Sequence, residues 1–318
     1  MVAAPARGPS GSGSPSVCVV GAANVDLTTY VPRLPREGET LHGRDFQLGY
    51  GGKGANQAVM AAKLGARVSL VTKLGADAFG EGARENLRSL GVDTTHVLAA
   101  GDAATGVAAI TVDQQGRNSI VIVMGANDLL TTDEVQAAGP AIAGAAVLVC
   151  QLEVPVEVSL VALRLARDAG VTTVLNPAPA RADLPAEAYR LTDVLCPNER
   201  EAELLTGRSV GTLDEARRAV DVLRERGAGA VVLTLGGRGC LVATAAATTH
   251  LPAEQVQPVD STGAGDAFVG SLAYLLAQGR DLVEAASRAN RVAAVSVTRR
   301  GALSSFPWAA DLPAGVLD

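Results

Sequence analysis

The stretch Ala230-Val-Val-Leu-Thr-Leu235 is apolar at every position but one. A strand with one face in water alternates apolar and polar residues, whereas a strand buried on both faces reads as an unbroken Val/Leu run. Residues 230–235 therefore predict a strand of a parallel sheet with helices on both sides. Similar runs occur at Val17–Gly21, Val68–Leu74, Val147–Leu152, Thr172–Leu175 and Val194–Cys196. Between and after them lie segments with helical apolar spacing: Ala55–Leu64, Gly80–Leu90, Val156–Ala169, Arg200–Leu205, Leu213–Arg226, Gly265–Gln278 and Leu282–Val295. This rhythm predicts an α/β fold, a three-layer, doubly wound and mostly parallel sheet, as a single domain over residues 17–318.

Two segments break the rhythm, at about residues 27–48 and 105–124. Both show strand alternation and turn residues but little helix. In the second, Gly106–Val112, Asp113-Gln-Gln-Gly116 and Asn118–Val123 read as a hairpin. A small antiparallel β lid assembled from the two segments would keep water from a reactive phosphate. The plainer reading is an extra edge sheet or a subunit contact.

Composition narrows the partners. The 318 residues are 48% hydrophobic and only 3% aromatic, so the core is built from Val, Leu, Ala and Ile. The net charge of −6 argues against nucleic-acid binding and means that an anionic ligand needs a local positive site. Cys18, Cys150, Cys196 and Cys240 are dispersed, with no Cys-x-x-Cys pair. That suits a reducing compartment, and the expected location is the cytoplasm, with the nucleus left open. His42, His96 and His250 are equally scattered, so no His-ligated metal centre is expected. Residues 1–16 are rich in Ala, Pro, Gly and Ser without the apolar core of a secretory signal, and read as a disordered tail. No apolar run is long enough to span a bilayer, so no membrane partner is expected.

Two glycine-rich turns carry the chemistry. In Val259-Asp-Ser-Thr-Gly-Ala-Gly-Asp266-Ala267 the glycines allow a tight turn that exposes backbone N–H groups. The helix that follows opens on that turn with unpaired N–H donors and partial positive charge, an anion site. Asp266 places a proton acceptor beside it. An anion site joined to a proton acceptor points to phosphoryl transfer, although a lone aspartate here would more often be a helix N-cap. The second turn, Gly49-Tyr-Gly-Gly-Lys-Gly54, formally matches the dinucleotide fingerprint. It does not follow the first strand, however, and lacks an acidic residue at a strand end about 20 positions on. A P-loop fails as well, because Gly54 follows Lys53 where Ser or Thr is required. What remains is a glycine turn leading to Lys53, Asn56 and Gln57 at a helix start, with Asn24 and Asp26 beyond the first strand. Such polar groups at strand ends suit a polyol.

The sequences Gly51-Gly-Lys-Gly-Ala-Asn56 and Asp260-Ser-Thr-Gly-Ala-Gly-Asp266 resemble the two signatures of the PfkB carbohydrate kinase family. Supporting matches are Asn24-Val-Asp26, Gln151-Leu-Glu153, Asn176-Pro-Ala-Pro179, Pro197-Asn-Glu-Arg-Glu201, Thr234-Leu-Gly-Gly-Arg-Gly239 and Val297-Thr-Arg-Arg-Gly301. They follow one another in family order from Val17 to the C-terminus. The resemblance implies ATP-dependent phosphorylation of a sugar. The spelling of the first signature, with Asn24 and Asp26, favours D-ribose phosphorylated at O5.

Residue by residue, the resemblance implies that Asn24, Asp26, Gly52, Lys53, Asn56 and Glu153 hold the sugar, with Asp266 as base. Asn198, Thr234, Gly236, Gly239, Gly265 and Asn290 would meet ATP. Gly263, Ala264 and Gly265 with the Asp266 N–H would form the anion hole. Mg²⁺ would lie near Asn198 and Glu201, largely through water and phosphate. An activating K⁺ would take Asp260, Thr262, Ser296, Arg299, Gly301 and Ser305, largely through carbonyls. A homodimer paired through the lid strands is also implied. Ser261 and Ala267 depart from the commoner Thr, and Thr or Ser, without removing a required group.

A carboxylate at a helix N-terminus is stabilised as the anion and is a weak base for a sugar hydroxyl. A loose phosphoryl-transfer transition state needs little early deprotonation, so Asp266 is expected to orient the hydroxyl and take its proton late. Three other readings stay open: a fructokinase-like or adenosine kinase-like member, a non-catalytic ligand sensor on the same fold, and a nicotinamide-dependent dehydrogenase.

Overall fold

The computed structural model describes residues 14–317. The tail expected over residues 1–16 lies outside the described residues up to residue 13, and Ser16 already opens the first strand. In chain order the strands are β1 (Ser16–Val20), β2 (Asn24–Tyr30), β3 (Asp45–Gly51), β4 (Arg67–Gly75), β5 (Val92–Asp93), β6 (Val97–Ala100), β7 (Gly106–Val112), β8 (Asn118–Val123), β9 (Val147–Cys150), β10 (Thr172–Leu175), β11 (Val194–Leu195), β12 (Ala230–Thr234), β13 (Cys240–Ala243) and β14 (Thr248–Leu251).

The main sheet runs β14-β13-β12-β11-β10-β9-β1-β4-β5, with β6 alongside the far half of β4. From β12 to β5 every pair is parallel. Alternate residues of these strands feed two separate cores. Val19, Val149 and Val232 pack on one face under the helices Lys53–Lys63, Ala264–Ala277 and Leu282–Ser296. Cys18, Leu148 and Val231 pack on the other under Val156–Asp168, Glu199–Thr206 and Leu213–Glu225. Burial on both faces is why Ala230–Leu235 shows no polar alternation. The hairpin β13–β14 extends the sheet in the antiparallel sense, beyond the strands expected from the apolar runs. The turn Gly236–Gly239 is too short for a helical crossover, so β13 can only fold back on β12.

The lid is a separate four-stranded sheet in the order β3-β2-β7-β8. Its outer pairs β2–β3 and β7–β8 are antiparallel, and β2 and β7 between them run parallel. The lid strands begin earlier and end later than the expected segment 27–48. Asn24, Asp26 and Gly51 therefore belong to the lid rather than to loops at the end of β1. Among the described residues, no helix is long and apolar enough to cross a membrane.

Candidate active site

Glycines press the start of the Lys53–Lys63 helix against the end of β1. Gly52 has φ of 89°, a region that side chains disfavour, and a Cβ there would lie 2.7 Å from the Ala22 carbonyl oxygen. A Cβ on Gly54 would stand 2.6 Å from the carbonyl carbon of Gly21. At Gly51 it would stand 2.5 Å from Asp26 Oδ2. The turn thus keeps space for Asp26 and brings Lys53, Asn56 and Gln57 to the strand ends. The Lys53 N–H donates to Glu153 Oε2 (2.7 Å), tying this turn to the end of β9. Asn24 is held from the lid side, where Asn127 Nδ2 donates to its Oδ1 (2.8 Å). Asn127 also takes the Ala23 N–H on its own Oδ1 (3.0 Å).

The second turn meets the first at Asp266. Gly263, at φ of 76°, is the N-cap of the Ala264–Ala277 helix, so Asp266 is not the cap. Its carboxylate points away from the helix and accepts from Asn56 Nδ2 on Oδ2 and from Gln57 Nε2 on Oδ1, each at 2.9 Å. Gln57 also donates to Asn176 Oδ1 (3.0 Å) and accepts from Gln151 Nε2 (2.6 Å). Of the N–H groups expected in an anion hole, that of Ala264 donates to the Ser261 carbonyl at 3.2 Å. Gly265 and Asp266 sit in the first turn, where N–H groups have no intrahelical acceptor.

A cavity of about 170 Å³ opens at this junction, lined by Lys53, Asn176, Asn198, Glu201, Thr234, Gly263, Gly265 and Asp266. Asp266 beside it pushes the Lys53 ammonium above its ordinary value, against the effect of burial, and Glu153 and Glu201 add to the push. Burial raises Glu153 and Glu201, although the Lys53 N–H opposes this at Glu153 and the Asn198 N–H at Glu201. Burial also lifts Asp26 to about 6. One ammonium thus faces several carboxylates, and polyphosphate could enter only with additional positive charge. Asn198 and Glu201 close a reciprocal cap at the start of the Glu199–Thr206 helix, with Glu201 N–H to Asn198 Oδ1 at 2.9 Å and Asn198 N–H to Glu201 Oε2 at 2.8 Å. Their oxygens suit a hard divalent ion. Among the described residues no three His, Cys, Asp or Glu side chains form a metal cage, so such an ion would need water and phosphate as further ligands.

The expected nucleotide and cation residues divide. Gly236, at φ of 53°, has open space beside it, as backbone approaching a ligand requires. Gly239 has a packing reason instead, since a Cβ would collide with the Leu251 carbonyl oxygen. The Asn290 amide donates to the Pro252 carbonyl (3.0 Å), and the residue does not line the cavity. Asp260 accepts from the Thr262 N–H and hydroxyl and from the Gly301 N–H (2.9, 2.7 and 2.8 Å). Burial works to raise Asp260, but these bonds outweigh it and leave the carboxyl below its ordinary range. The Ser296 and Ser305 hydroxyls donate to the carbonyls of Ala293 and Ala302, each at 2.8 Å, which leaves main-chain carbonyls to serve a cation. Arg299 turns its side chain toward Asp311, 3.6 Å away.

No sequence motif assigns a role to Asn127 or Asn176 or a partner to Gln57. Each is a buried amide, and its depth is the signal: a fully buried Gln needs partners for every polar atom. Periodicity alone does not reveal it.

Known proteins resemble this chain over most of its length. A model described as pfkB family carbohydrate kinase matches residues 14–309. A mouse ribokinase is 47% identical over 302 residues, 94% of each chain. A Salmonella typhi deoxyribokinase is 40% identical over 291 residues, covering 92% of this chain and 95% of its own. The structure of Arabidopsis thaliana ribokinase complexed with ribose and ATP superimposes with a TM-score of 0.87 at 31% identity, covering 94% of this chain and 97% of that one.

Proposed function

The chain belongs to the pfkB family of carbohydrate kinases, and from that premise we propose that it transfers the γ-phosphoryl group of ATP to O5 of D-ribose. One observation carries the reading: the Asp266 carboxylate, gripped by two side-chain amides at the start of the Lys53–Lys63 helix, stands at the head of another helix beside a cavity that also contains Lys53 and Glu201. Ribose fits the polar groups around Asp26, Asn24, Asn56 and Glu153, each of which has oxygen or amide atoms for hydroxyls. Asn56 Oδ1 in particular is buried without a partner in the protein. ATP would reach the cavity from the Asn198, Thr234 and Gly236 side.

In the step itself, O5 bonds to the γ-phosphorus while the bridging oxygen departs with ADP, and Asp266 accepts the O5 proton late. The Gly265 and Asp266 N–H groups face the charge that builds on the γ-phosphoryl oxygens. Mg²⁺, when bound, supplies positive charge to the phosphates, and Glu201 with Asn198 would hold it through water. K⁺, when bound, supplies a second charge beside the turn, and Asp260 with the main chain of residues 296–305 would hold it.

We also assign dimer pairing to the lid. Phe46, Leu48, Val121 and Val123 share one of its faces by register and are 45–63% exposed. A bare apolar sheet of this kind is normally covered by a partner. Four free, buried cysteines support a reducing compartment, the cytoplasm.

The 40% identity to a deoxyribokinase favours 2-deoxy-D-ribose as the second reading. ATP consumption with D-ribose, 2-deoxy-D-ribose, D-fructose and adenosine, each with and without K⁺, tests both. We expect D-ribose to give the highest kcat/KM. A higher value for any other acceptor would overturn the assignment.

A further inference from the structure

We infer that Gln57 is a positioning residue for the transfer: its amide clamps Oδ1 of Asp266, so that Oδ2 alone is presented to the ribose hydroxyl. Gln57 is fully buried, and each of its polar atoms is engaged. The polarity of the clamp starts at a backbone carbonyl, which cannot flip. The Cys196 carbonyl takes the Asn176 Nδ2 donor (2.9 Å), so Asn176 turns its Oδ1 toward Gln57. Gln57 must then present its Nε2 to Asn176 and Asp266, and Gln151 Nε2 locks the remaining Oε1. Reversing the Gln57 amide would set an oxygen against two acceptors and a nitrogen against a donor.

Asn56 on the other carboxylate oxygen is different. It makes one bond, to Oδ2, and its own Oδ1 is unpartnered. When ribose enters, Asn56 can give up Oδ2 to the O5 hydroxyl and turn its amide to the sugar, while Gln57 stays in place. The proton of O5 then passes to Oδ2 as the O5–phosphorus bond forms and the bond to the ADP oxygen breaks. Release of that proton and of ADP restores the carboxylate. Sequence spacing adds to the argument: adjacent residues 56 and 57 at a helix start give Asp266 one replaceable donor and one fixed donor.

The inference rests on the ribose kinase reading, and wild-type turnover separates the two. If the wild-type chain leaves ribose untouched, that reading fails; if it phosphorylates ribose, the variants below judge Gln57. Gln57→Met keeps the length of the side chain and removes the donor. Because misplacement of a reacting group by about an ångström costs on the order of 10²-fold, kcat should fall by about that factor, with the KM for ribose within about threefold of wild type. In an Asp266→Asn background, followed by single turnover, the same change should cost less than about twofold, because residues acting as a unit are not additive. A merely structural role would cost the same in both backgrounds. Gln151→Met, which frees only Gln57 Oε1, should lower kcat in the same direction by a smaller factor. Thermal melting checks that each variant folds. A Gln57→Met kcat within threefold of wild type, or a loss undiminished beside Asp266→Asn, overturns the assignment. If Gln57→Met does not fold, an unchanged kcat in Gln151→Met overturns it.

Discussion

Asn56 Nδ2 donates to Asp266 Oδ2 over 2.9 Å and so joins side chains 210 positions apart, closing one glycine turn on the other. The two turns thereby become one site, with the Asn56 amide resting on the carboxylate oxygen to which we assign the O5 proton. The bond separates the roles of the two residues. Asp266→Asn should lower kcat by about 10²–10⁴-fold, the usual contribution of a positioned base, with little change in ribose KM. Asn56→Ala should act mainly on KM for ribose. Steady-state kinetics with varied ribose at saturating ATP check both, and an Asp266→Asn enzyme with near-normal kcat would remove the base from the mechanism.

The proposed contact of Asp26 with ribose predicts a pH dependence of sugar binding. Burial lifts its carboxyl to about 6. Sugar hydroxyls donate to the ionised form, so binding below this point first requires loss of a proton. The KM for ribose should therefore rise as pH falls from about 7 to 5, approaching tenfold per unit once Asp26 is protonated. Asp26→Asn should bind more weakly at pH 7.5 and lose this slope.

The same shift has an opposite consequence for stability. Raised above its unfolded value, the Asp26 carboxyl favours folding fully below about 4 and loses that contribution as pH rises through about 6. At pH 7.5 its ionised form is thus a burden of up to about 3 kcal/mol. Asp26→Asn should unfold at a higher temperature than wild type at pH 7.5, with the difference shrinking toward pH 4. Equal melting temperatures across that range would show that Asp26 is not strained in the fold.

Gly54→Ala tests how closely the first turn must approach β1. The added carbon would lie 2.6–2.8 Å from backbone atoms of Gly21 and Ala22, which cannot rotate aside. Overpacking of this kind costs about 1–3 kcal/mol, and the helix start that carries Asn56 and Gln57 would shift with it. Melting temperature and ribose affinity should fall together. Gly139→Ala, where nothing lies within 4 Å and φ is not positive, should leave ribose affinity unchanged.

Much of this was legible in the sequence, for physical reasons. The parallel sheet announced itself through runs such as Ala230–Leu235, because strands buried on both faces need apolar residues everywhere. The glycine turns were legible because positive φ and close backbone approach leave few other choices, as at Gly52 and Gly263. The amide relay was not. Gln57, Asn127 and Asn176 are chemically ordinary along the chain, and their roles arise from partners 20 to 209 residues distant. The hairpin β13–β14 was hidden for another reason: Thr248, Thr249 and His250 lie half-exposed near a sheet edge and carry little apolar signal.

The loop around Gly301 is coupled to the turn at residues 260–263 by one carboxylate. Asp260 reaches forward to the Thr262 N–H and hydroxyl and across to the Gly301 N–H, so it holds together the two segments expected to share a cation. Gly263 leaves no room between them, since a Cβ there would stand 3.0 Å from Ala302. Asp260→Asn keeps the size of the side chain but removes its charge and replaces one acceptor with an amide. Hydrogen bonds to charged groups contribute about 1.5–3 kcal/mol, so the loop should loosen from the turn and cation binding should weaken by about 10- to 100-fold. Wild-type activity with ATP, Mg²⁺ and ribose should be much higher in K⁺ than in Na⁺ buffer, and the Asp260→Asn enzyme should need far more K⁺ for half-activation. If wild-type rates match in the two buffers, the cation site is refuted. If the wild type depends on K⁺ and the variant keeps that dependence unchanged, the site survives but Asp260 does not build it.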